Sequence, residues 1–258
     1  MTLSTVARGD WLRSYDSSPG ADFRLICLPH AGGSANYFRG LSQLMAPSIE
    51  VLAVQYPGRQ DRLAAPFIDN IPGLADCVTT ALLADPRPPV ALFGHSMGAV
   101  LAFEVARRLR RHGAGPRHLF ASGHRAPSRH RDDLIHLRDD TGVAAELRGL
   151  GGTASRWLDD KEFIALIMPA VRNDFKAIET YRYTPEPPLD CPVTALIGDA
   201  DPYTSVSEAD AWRAHSTGEF GLHVFPGGHF YLDSCLQHVA CVILSTLCGA
   251  PAQRRSKS

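Results

Sequence analysis

The chain has 258 residues, of which 45% are hydrophobic and 21% are charged. This composition is that of an ordinary globular protein and argues against a disordered, collagen-like or coiled-coil chain. Its 26 Lys and Arg against 27 Asp and Glu give a net charge of −1. A chain without an overall field is not built to attract nucleic acid or an anionic membrane, so neither is expected as a partner.

The two ends of the chain and its cysteines argue against a membrane protein and against a zinc protein. No apolar run follows Met1, and the neutral stretch 239–248 is far shorter than the roughly 20 residues of a membrane span. The six cysteines form no C-x-x-C pair and no zinc-like cluster with histidine. We therefore expect a cytoplasmic protein without a metal or cofactor, folded as a single domain over residues 1–258 with a disordered tail at 250–258.

Six short apolar runs, each ending in glycine, proline or a polar cluster, predict strands buried on both faces of a parallel sheet. In chain order they are 25–28, 51–56, 90–93, 119–122, 193–197 and 222–225. Helical patterns separate them, most clearly over 97–111, where apolar residues form one stripe and Gly113 follows as a stop. The alternation predicts an α/β fold with a mostly parallel central sheet and helices on both faces.

One segment interrupts this alternation. Between about 128 and 184 there is no convincing strand, and helical patterns recur at 133–150, 159–168 and 170–181. They are interrupted by Gly149, Gly151, Gly152 and Pro169. The sequence therefore predicts a helical insertion between two strands of the sheet.

The strongest chemical signal is Gly94-His95-Ser96-Met97-Gly98, which lies between a predicted buried strand and the predicted helix 97–111. This G-x-S-x-G pattern in a strand–turn–helix context is typical of a nucleophile elbow, where small flanking residues allow a very tight turn. A chance Gly-Ser turn is the alternative, and the strand–turn–helix context argues against it.

A nucleophilic serine needs a base and an acid that orients it, and in this fold class they follow in the order Ser, Asp, His. His229 lies in a loop at the end of the predicted strand 222–225, where open α/β sheets build their sites. For the acid, Asp199 and Asp201 compete in the loop after strand 193–197. We favour Asp201, which precedes the stiff Pro202, and keep Asp199 as the alternative.

Acyl transfer also needs an oxyanion hole, built in this fold class from the N–H after the nucleophile and a second N–H from an early loop. Met97 supplies the first. The loop 28–34, with its two glycines, suggests the second. A phosphate loop is disfavoured there because no Gly-Lys-Ser/Thr follows.

With these pieces in place, the sequence resembles the type II thioesterases of polyketide synthases and nonribosomal peptide synthetases, which are α/β-hydrolases. The resemblance covers about residues 22–235 and rests on Leu28-Pro-His-Ala-Gly-Gly-Ser-Ala35, Val54-Gln-Tyr-Pro-Gly-Arg-Gln-Asp-Arg62, Phe93-Gly-His-Ser-Met-Gly98, Leu150-Gly-Gly-Thr153, Arg172-Asn-Asp174 with Glu179-Thr-Tyr181, Gly198-Asp-Ala-Asp-Pro202 and Gly227-Gly-His-Phe230.

The resemblance implies Ser96 as nucleophile, Asp201 as acid and His229 as base, with the N–H groups of Ala31 and Met97 as oxyanion hole. It makes the insertion 128–184 a lid, and the substrate an acyl group on the phosphopantetheine arm of an acyl or peptidyl carrier protein. Family members more often carry alanine where this chain has Asn173, a departure that concerns the lid.

Several alternatives remain open. The chain fits a medium-chain acyl thioesterase or a small-molecule esterase as well, and a non-catalytic module that docks on a synthase is the alternative from another class. The basic run 107–112 is compatible with docking of an acidic carrier, but cations in the last turns of a helix also suit its dipole. Arg59 and Arg62 either shape the site or only their loop.

Overall fold

A computed structural model describes residues 8–18, 20–85, 90–151 and 158–249 of the chain. Its central feature is a seven-stranded sheet with the strand order β1-β3-β2-β4-β5-β6-β7. The strands are β1 Leu12–Ser14, β2 Phe23–Leu28, β3 Ile49–Val54, β4 Val90–His95, β5 His118–Ser122, β6 Val193–Gly198 and β7 Phe220–Phe225.

The sheet is parallel except for one edge. β1 pairs antiparallel with β3, and every other neighbouring pair is parallel. The six strands predicted from apolar runs correspond to β2 to β7. The sequence pattern missed β1, because a three-residue edge strand is too short to show a pattern.

Helices cover both faces of the sheet, as predicted. The helices are α1 Arg8–Trp11, α2 Arg39–Met45, α3 Ile71–Leu83, α4 Met97–Arg111, α5 Asp140–Leu150, α6 Lys161–Glu179, α7 Val206–Asp210 and α8 Leu232–Cys248. α3 and α4 pack in one apolar cluster against the sheet, and α2 and α8 in another. Near-complete burial of β3 between these layers explains why its sequence is apolar at nearly every position.

The described residues between β5 and β6 are rich in helix, and the structure differs from the prediction at two places. The separate helices expected at 159–168 and 170–181 are one helix, α6, which continues through Pro169. Proline removes one backbone hydrogen bond, but Met168, Val171 and Phe175 pack with Ile135 and Val143 in a separate apolar cluster. This packing holds α6 together across the proline.

The pattern expected at 133–150 also divides, into a 3-10 turn at Ile135–Leu137 and the helix α5, which Asp139 caps by accepting from the Gly142 N–H at 2.8 Å. Gly149 lies inside α5 and Gly151 ends it with a positive φ of 77°. Gly152 and the predicted tail 250–258 lie outside the described residues.

Candidate active site

Ser96 occupies a strained turn between β4 and α4. Its φ of 56° and ψ of −122° lie where non-glycine residues are rare. The turn is held by a hydrogen bond from the Ser96 N–H to the Ser122 carbonyl at 2.8 Å. A Cβ added to Gly94 would lie 2.0 Å from the Gly98 carbonyl oxygen, and one added to Gly98 would lie 2.0 Å from the Leu28 carbonyl oxygen. Both glycines are therefore required for the serine to stand above the strand end.

The structure brings Ser96 together with the two predicted partners. The Nε2 atom of His229 lies 2.9 Å from the Ser96 Oγ, and its Nδ1 lies 2.9 Å from Asp201 Oδ2. The second carboxylate oxygen of Asp201 accepts the Tyr203 N–H at 2.8 Å. The Asp201 side chain is fully buried and that of His229 is 4% exposed, so water does not compete for these bonds. This geometry suits transfer of the serine proton to the imidazole.

Asp199, the alternative acid, faces another way. It is exposed, and its Oδ1 accepts the N–H of Gly227 at 2.9 Å. The carboxylate closes the loop that follows β7, two residues before His229. In this structure Asp199 has the geometry of a loop-forming residue, and Asp201 has that of the orienting acid.

Ala31 and Met97 are the two residues expected to supply the oxyanion N–H groups. Both residues line the same cavity as Ser96 and His229. Neither N–H donates to an acceptor within the described part of the chain. Met97 is the first residue of α4, where the helix leaves N–H groups free and favours negative charge. Two free donors near the nucleophile fit the requirement of an oxyanion hole.

The cavity above Ser96 lies between the sheet and α6. Its volume is about 740 Å³, including its open mouth. Buried or half-buried apolar side chains from α4 and α6, namely Val100, Phe175 and Ile178, form part of its wall. Arg129 and His130 are exposed members of the lining. The cavity is therefore suited to an apolar acyl group that enters past a polar rim.

Two more histidines lie next to His229 and are kept neutral. Burial lowers the pKa of His30 to about 3 and lowers the pKa of His95 well below 6.5, with the nearby His229 adding to both shifts. The His95 Nδ1 lies 2.9 Å from the Ser122 Oγ, which in turn lies 2.6 Å from the Tyr231 hydroxyl. His30 and His95 therefore do not compete with His229 for a proton at neutral pH.

Sequence reasoning missed the role of Ser122, whose backbone and side chain both support the nucleophile turn. The only feature of the sequence that could have indicated Ser122 is its position at the end of β5, the strand that lies beside β4. For Arg59, the sequence allows either a role in the site or a role only in its own loop. The structure places it in a buried ion pair with Asp174 of α6, next to the loop that contains Ala31.

The basic run at 107–112 lies at the wrong end of α4 for the cavity. Helix α4 begins beside Ser96 and spans 15 residues, which is about 22 Å of axis. Its arginines are engaged inside the molecule: Arg107 and Arg108 pair with Glu104, and Arg111 pairs with Glu186. Arg110 donates to two proline carbonyls. The run therefore makes its contacts within the molecule, on the surface behind the site.

No cluster of three or more His, Cys, Asp or Glu side chains within the described ranges is placed to hold a metal ion. None of the described helices is both long and apolar enough to cross a bilayer.

The sheet, the strained serine turn and the Ser96–His229–Asp201 arrangement define the class of α/β-hydrolases. Comparison with known proteins gives the family. Residues 23–246 match the model of the family described as Thioesterase domain. The chain belongs to this family and is a serine thioester hydrolase.

Two relatives that bear the name thioesterase are similar over most of the chain. The chain is 48% identical over 243 residues to the "Probable cadicidin biosynthesis thioesterase" of Streptomyces griseus, covering 94% of this chain and 67% of that protein. It is 48% identical over 232 residues to "Thioesterase PikA5" of Streptomyces venezuelae, covering 88% and 82%.

A solved structure, described as the type II thioesterase BorB from the borrelidin biosynthetic cluster, superposes with a TM-score of 0.86 at 46% identity, covering 95% of this chain and 99% of that one. These findings confirm the α/β-hydrolase fold and the resemblance to type II thioesterases of polyketide and nonribosomal peptide clusters.

Proposed function

We propose that this chain is an editing thioesterase that removes acyl groups from the phosphopantetheinyl carrier proteins of a polyketide synthase or nonribosomal peptide synthetase. The observation that carries the proposal is the hydrogen-bonded series Asp201–His229–Ser96, which opens onto an apolar cavity beneath α6. The relatives, which are thioesterases of such clusters, support the choice of substrate.

In the first half of the proposed reaction, His229 Nε2 takes the proton of Ser96 as Oγ attacks the thioester carbonyl carbon. The N–H groups of Ala31 and Met97 stabilise the oxyanion that forms. The C–S bond then breaks, and the pantetheine thiol leaves with the proton from His229. The product of this half-reaction is an acyl ester on Ser96.

In the second half, His229 takes a proton from water as the water oxygen attacks the acyl-serine carbonyl. The C–O bond to Ser96 breaks, and the Oγ recovers its proton from His229. Throughout, Asp201 accepts from Nδ1 and holds the ring in the required tautomer. The proposed reaction uses no cofactor of the enzyme, because the carrier brings the pantetheine. The enzyme would act in the cytoplasm with its carriers.

The first experiment tests the nucleophile. A fluorophosphonate probe should label the wild-type protein at Ser96, and the Ser96→Ala variant should fold, stay unlabelled and lose turnover. Equal labelling of both proteins would remove Ser96 from the mechanism, and a wild-type protein that is neither labelled nor active would favour the non-catalytic module.

A second experiment separates the carrier-linked role from the esterase alternatives. One acyl chain is presented on a carrier protein, on coenzyme A, on N-acetylcysteamine and as a p-nitrophenyl ester. The proposal expects the highest kcat/KM for the carrier, because part of the binding energy then comes from protein surface. If the small thioesters or the ester match the carrier, the general thioesterase or esterase assignment replaces the proposal.

A further inference from the structure

The turn that carries Ala31 is in contact with helix α6. The N–H of Gly32 donates to Asp174 Oδ2 at 2.8 Å, although the two residues are 142 positions apart in the chain. Gly32 has a φ of +74°, and a Cβ there would lie 2.6 Å from the Val171 Cγ2 atom of α6. Because the turn and the helix touch without spare room, α6 fixes where this turn lies.

Asp174 is itself held by Arg59. The two side chains form a buried, two-pronged ion pair, with distances of 2.5 Å from Arg59 Nη1 to Asp174 Oδ2 and 2.9 Å from Arg59 Nη2 to Asp174 Oδ1. Only 1% of the Asp174 side chain and 8% of the Arg59 side chain are exposed. A fork of this kind fixes the orientation of a carboxylate as well as its position.

The ion pair holds two successive residues of the turn. Asp174 accepts from the N–H of Gly32, and the Nη1 group of Arg59 donates to the carbonyl of Gly33 at 3.1 Å. The Gly33 N–H closes the turn onto the His30 carbonyl at 2.9 Å. Ala31, in the middle of this turn, lines the cavity, and its N–H donates to no acceptor within the described residues.

We propose that Asp174 is a positioning residue for the oxyanion hole: through Gly32 it sets the direction of the Ala31 N–H, and it does so only while α6 is seated on the turn. This inference rests on the proposed function, which assigns the oxyanion N–H to Ala31. An oxyanion donor is effective only when it is already oriented before charge develops. The lid helix is therefore part of the catalytic apparatus and not only a cover.

The test compares Asp174→Asn with Asp85→Asn. Asp85 forms another buried arginine pair, with Arg24 at 2.7 Å, at the opposite end of β2 from the site. Both substitutions leave a buried arginine without its carboxylate, so both reduce stability. The measurements are kcat and KM for an acyl-N-acetylcysteamine thioester, the affinity for a trifluoromethyl ketone analogue of it, and thermal unfolding. The ketone reports on the oxyanion hole because it binds as a tetrahedral oxyanion on the serine.

Loss of a complete oxyanion donor costs about 10²–10³ in kcat. The amide of Asp174→Asn has one acceptor oxygen, so its NH2 group must face an N–H of Arg59, donor against donor, and the fork that orients the side chain is lost. This misdirects one oxyanion donor without deleting it, and we expect a loss of about 10–100-fold in kcat, with KM changed by less than about threefold. The affinity for the ketone should fall by the same factor as kcat/KM. Asp85→Asn should lower the unfolding temperature while both kinetic constants and ketone affinity stay near wild type. If Asp174→Asn does not fold, Arg59→Lys replaces it, since lysine keeps the charge but lacks the planar fork that holds both oxygens of Asp174.

Two results would overturn the inference. One is wild-type kcat in the folded Asp174→Asn protein, or in Arg59→Lys where that variant replaces it. The other is a loss of turnover without a matching loss of ketone affinity, as expected for a merely structural residue. Either result with active wild-type enzyme rejects the role of Asp174 alone. A wild-type enzyme that does not hydrolyse thioesters and is not labelled at Ser96 rejects the proposed function instead.

Discussion

The contacts of Asp201 predict how the Asp201→Asn substitution changes the tautomer of His229. In Asp201→Asn, the Asn Oδ1 can still accept the Tyr203 N–H, which lies 2.8 Å from the aspartate oxygen. The Nδ2 group then faces His229 Nδ1 at the site of the present 2.9 Å contact. Since Nδ2 only donates, it makes Nδ1 the acceptor and leaves the proton on Nε2. An Nε2 that carries a proton cannot take the proton of Ser96.

The size of the effect follows from burial. The Asp201 side chain is fully buried, so no water replaces the lost acceptor. Installing the wrong tautomer in a Ser-His-Asp triad costs on the order of 10⁴ in kcat. At about 1.36 kcal/mol for each factor of ten, this is about 5.4 kcal/mol of transition-state stabilisation.

Asp199→Asn is the matched control. Its Oδ1 accepts the Gly227 N–H at 2.9 Å, and an amide oxygen can accept the same bond. Because Asp199 is exposed, losing its charge should cost about 1 kcal/mol of stability or less and change kcat by less than about threefold.

The assay is thiol release from one acyl-N-acetylcysteamine thioester by both purified variants, with unfolding temperatures measured in parallel. The reasoning is refuted if Asp199→Asn is the more damaged variant, or if Asp201→Asn keeps a tenth or more of the wild-type kcat.

The remaining predictions concern packing, acid stability and charge. Gly98→Ala places a Cβ 2.0 Å from the Leu28 carbonyl oxygen and should lower the free energy of unfolding in urea by at least about 1–3 kcal/mol. Gly149→Ala, which has open space in α5, should raise the same free energy by about 0.5–1 kcal/mol. Equal effects of the two substitutions would contradict the tight packing at Gly98. Burial lowers the pKa of His118 to about 4, so this histidine is protonated at a lower pH in the folded state than in the unfolded state. The free energy of unfolding should therefore fall by about 1.4 kcal/mol per pH unit as the pH drops from 6.5 to 4. His118→Gln should remove this part of the slope, and an unchanged slope would count against it. Arg111→Gln should leave kcat/KM for a carrier-bound substrate within about twofold of wild type, and a larger loss would restore the basic run as a docking surface.

The central sheet and the nucleophile turn could be predicted because local sequence determines both. Burial on two faces forces β3 and β4 to be apolar at nearly every position, and the turn at Ser96 requires glycine at positions 94 and 98. The sequence favours Asp201 over Asp199 but does not show which of the two carboxylates meets His229. The two carboxylates lie in one loop, two residues apart, and which of them meets His229 depends on the path of a second loop that starts at residue 226.

The helical region between β5 and β6 shows where local rules fail. Pro169 is a helix breaker by its own chemistry, and the sequence therefore predicts two helices. The side chains that keep α6 continuous include Ile135 and Val143, which lie more than 25 positions earlier in the chain. Contacts at this distance leave no periodic signal within the helix itself.

The basic run of α4 shows the same limit for charge. Arg107, Arg108 and Arg111 lie on successive turns near the end of a helix, and from the sequence alone they predict either a docking surface or a favourable helix end. Their carboxylate partners come from three different segments: Glu104 from the same helix, Asp76 from α3 and Glu186 from the segment that leads into β6. A positive sequence run therefore makes a positive surface only if the fold leaves its charges unpaired. Here the fold pairs these three arginines about 15–21 Å along the helix from the end that begins beside Ser96. The mouth of the cavity differs in this respect, because Arg129 is exposed there and has no ion-pair partner within the described residues.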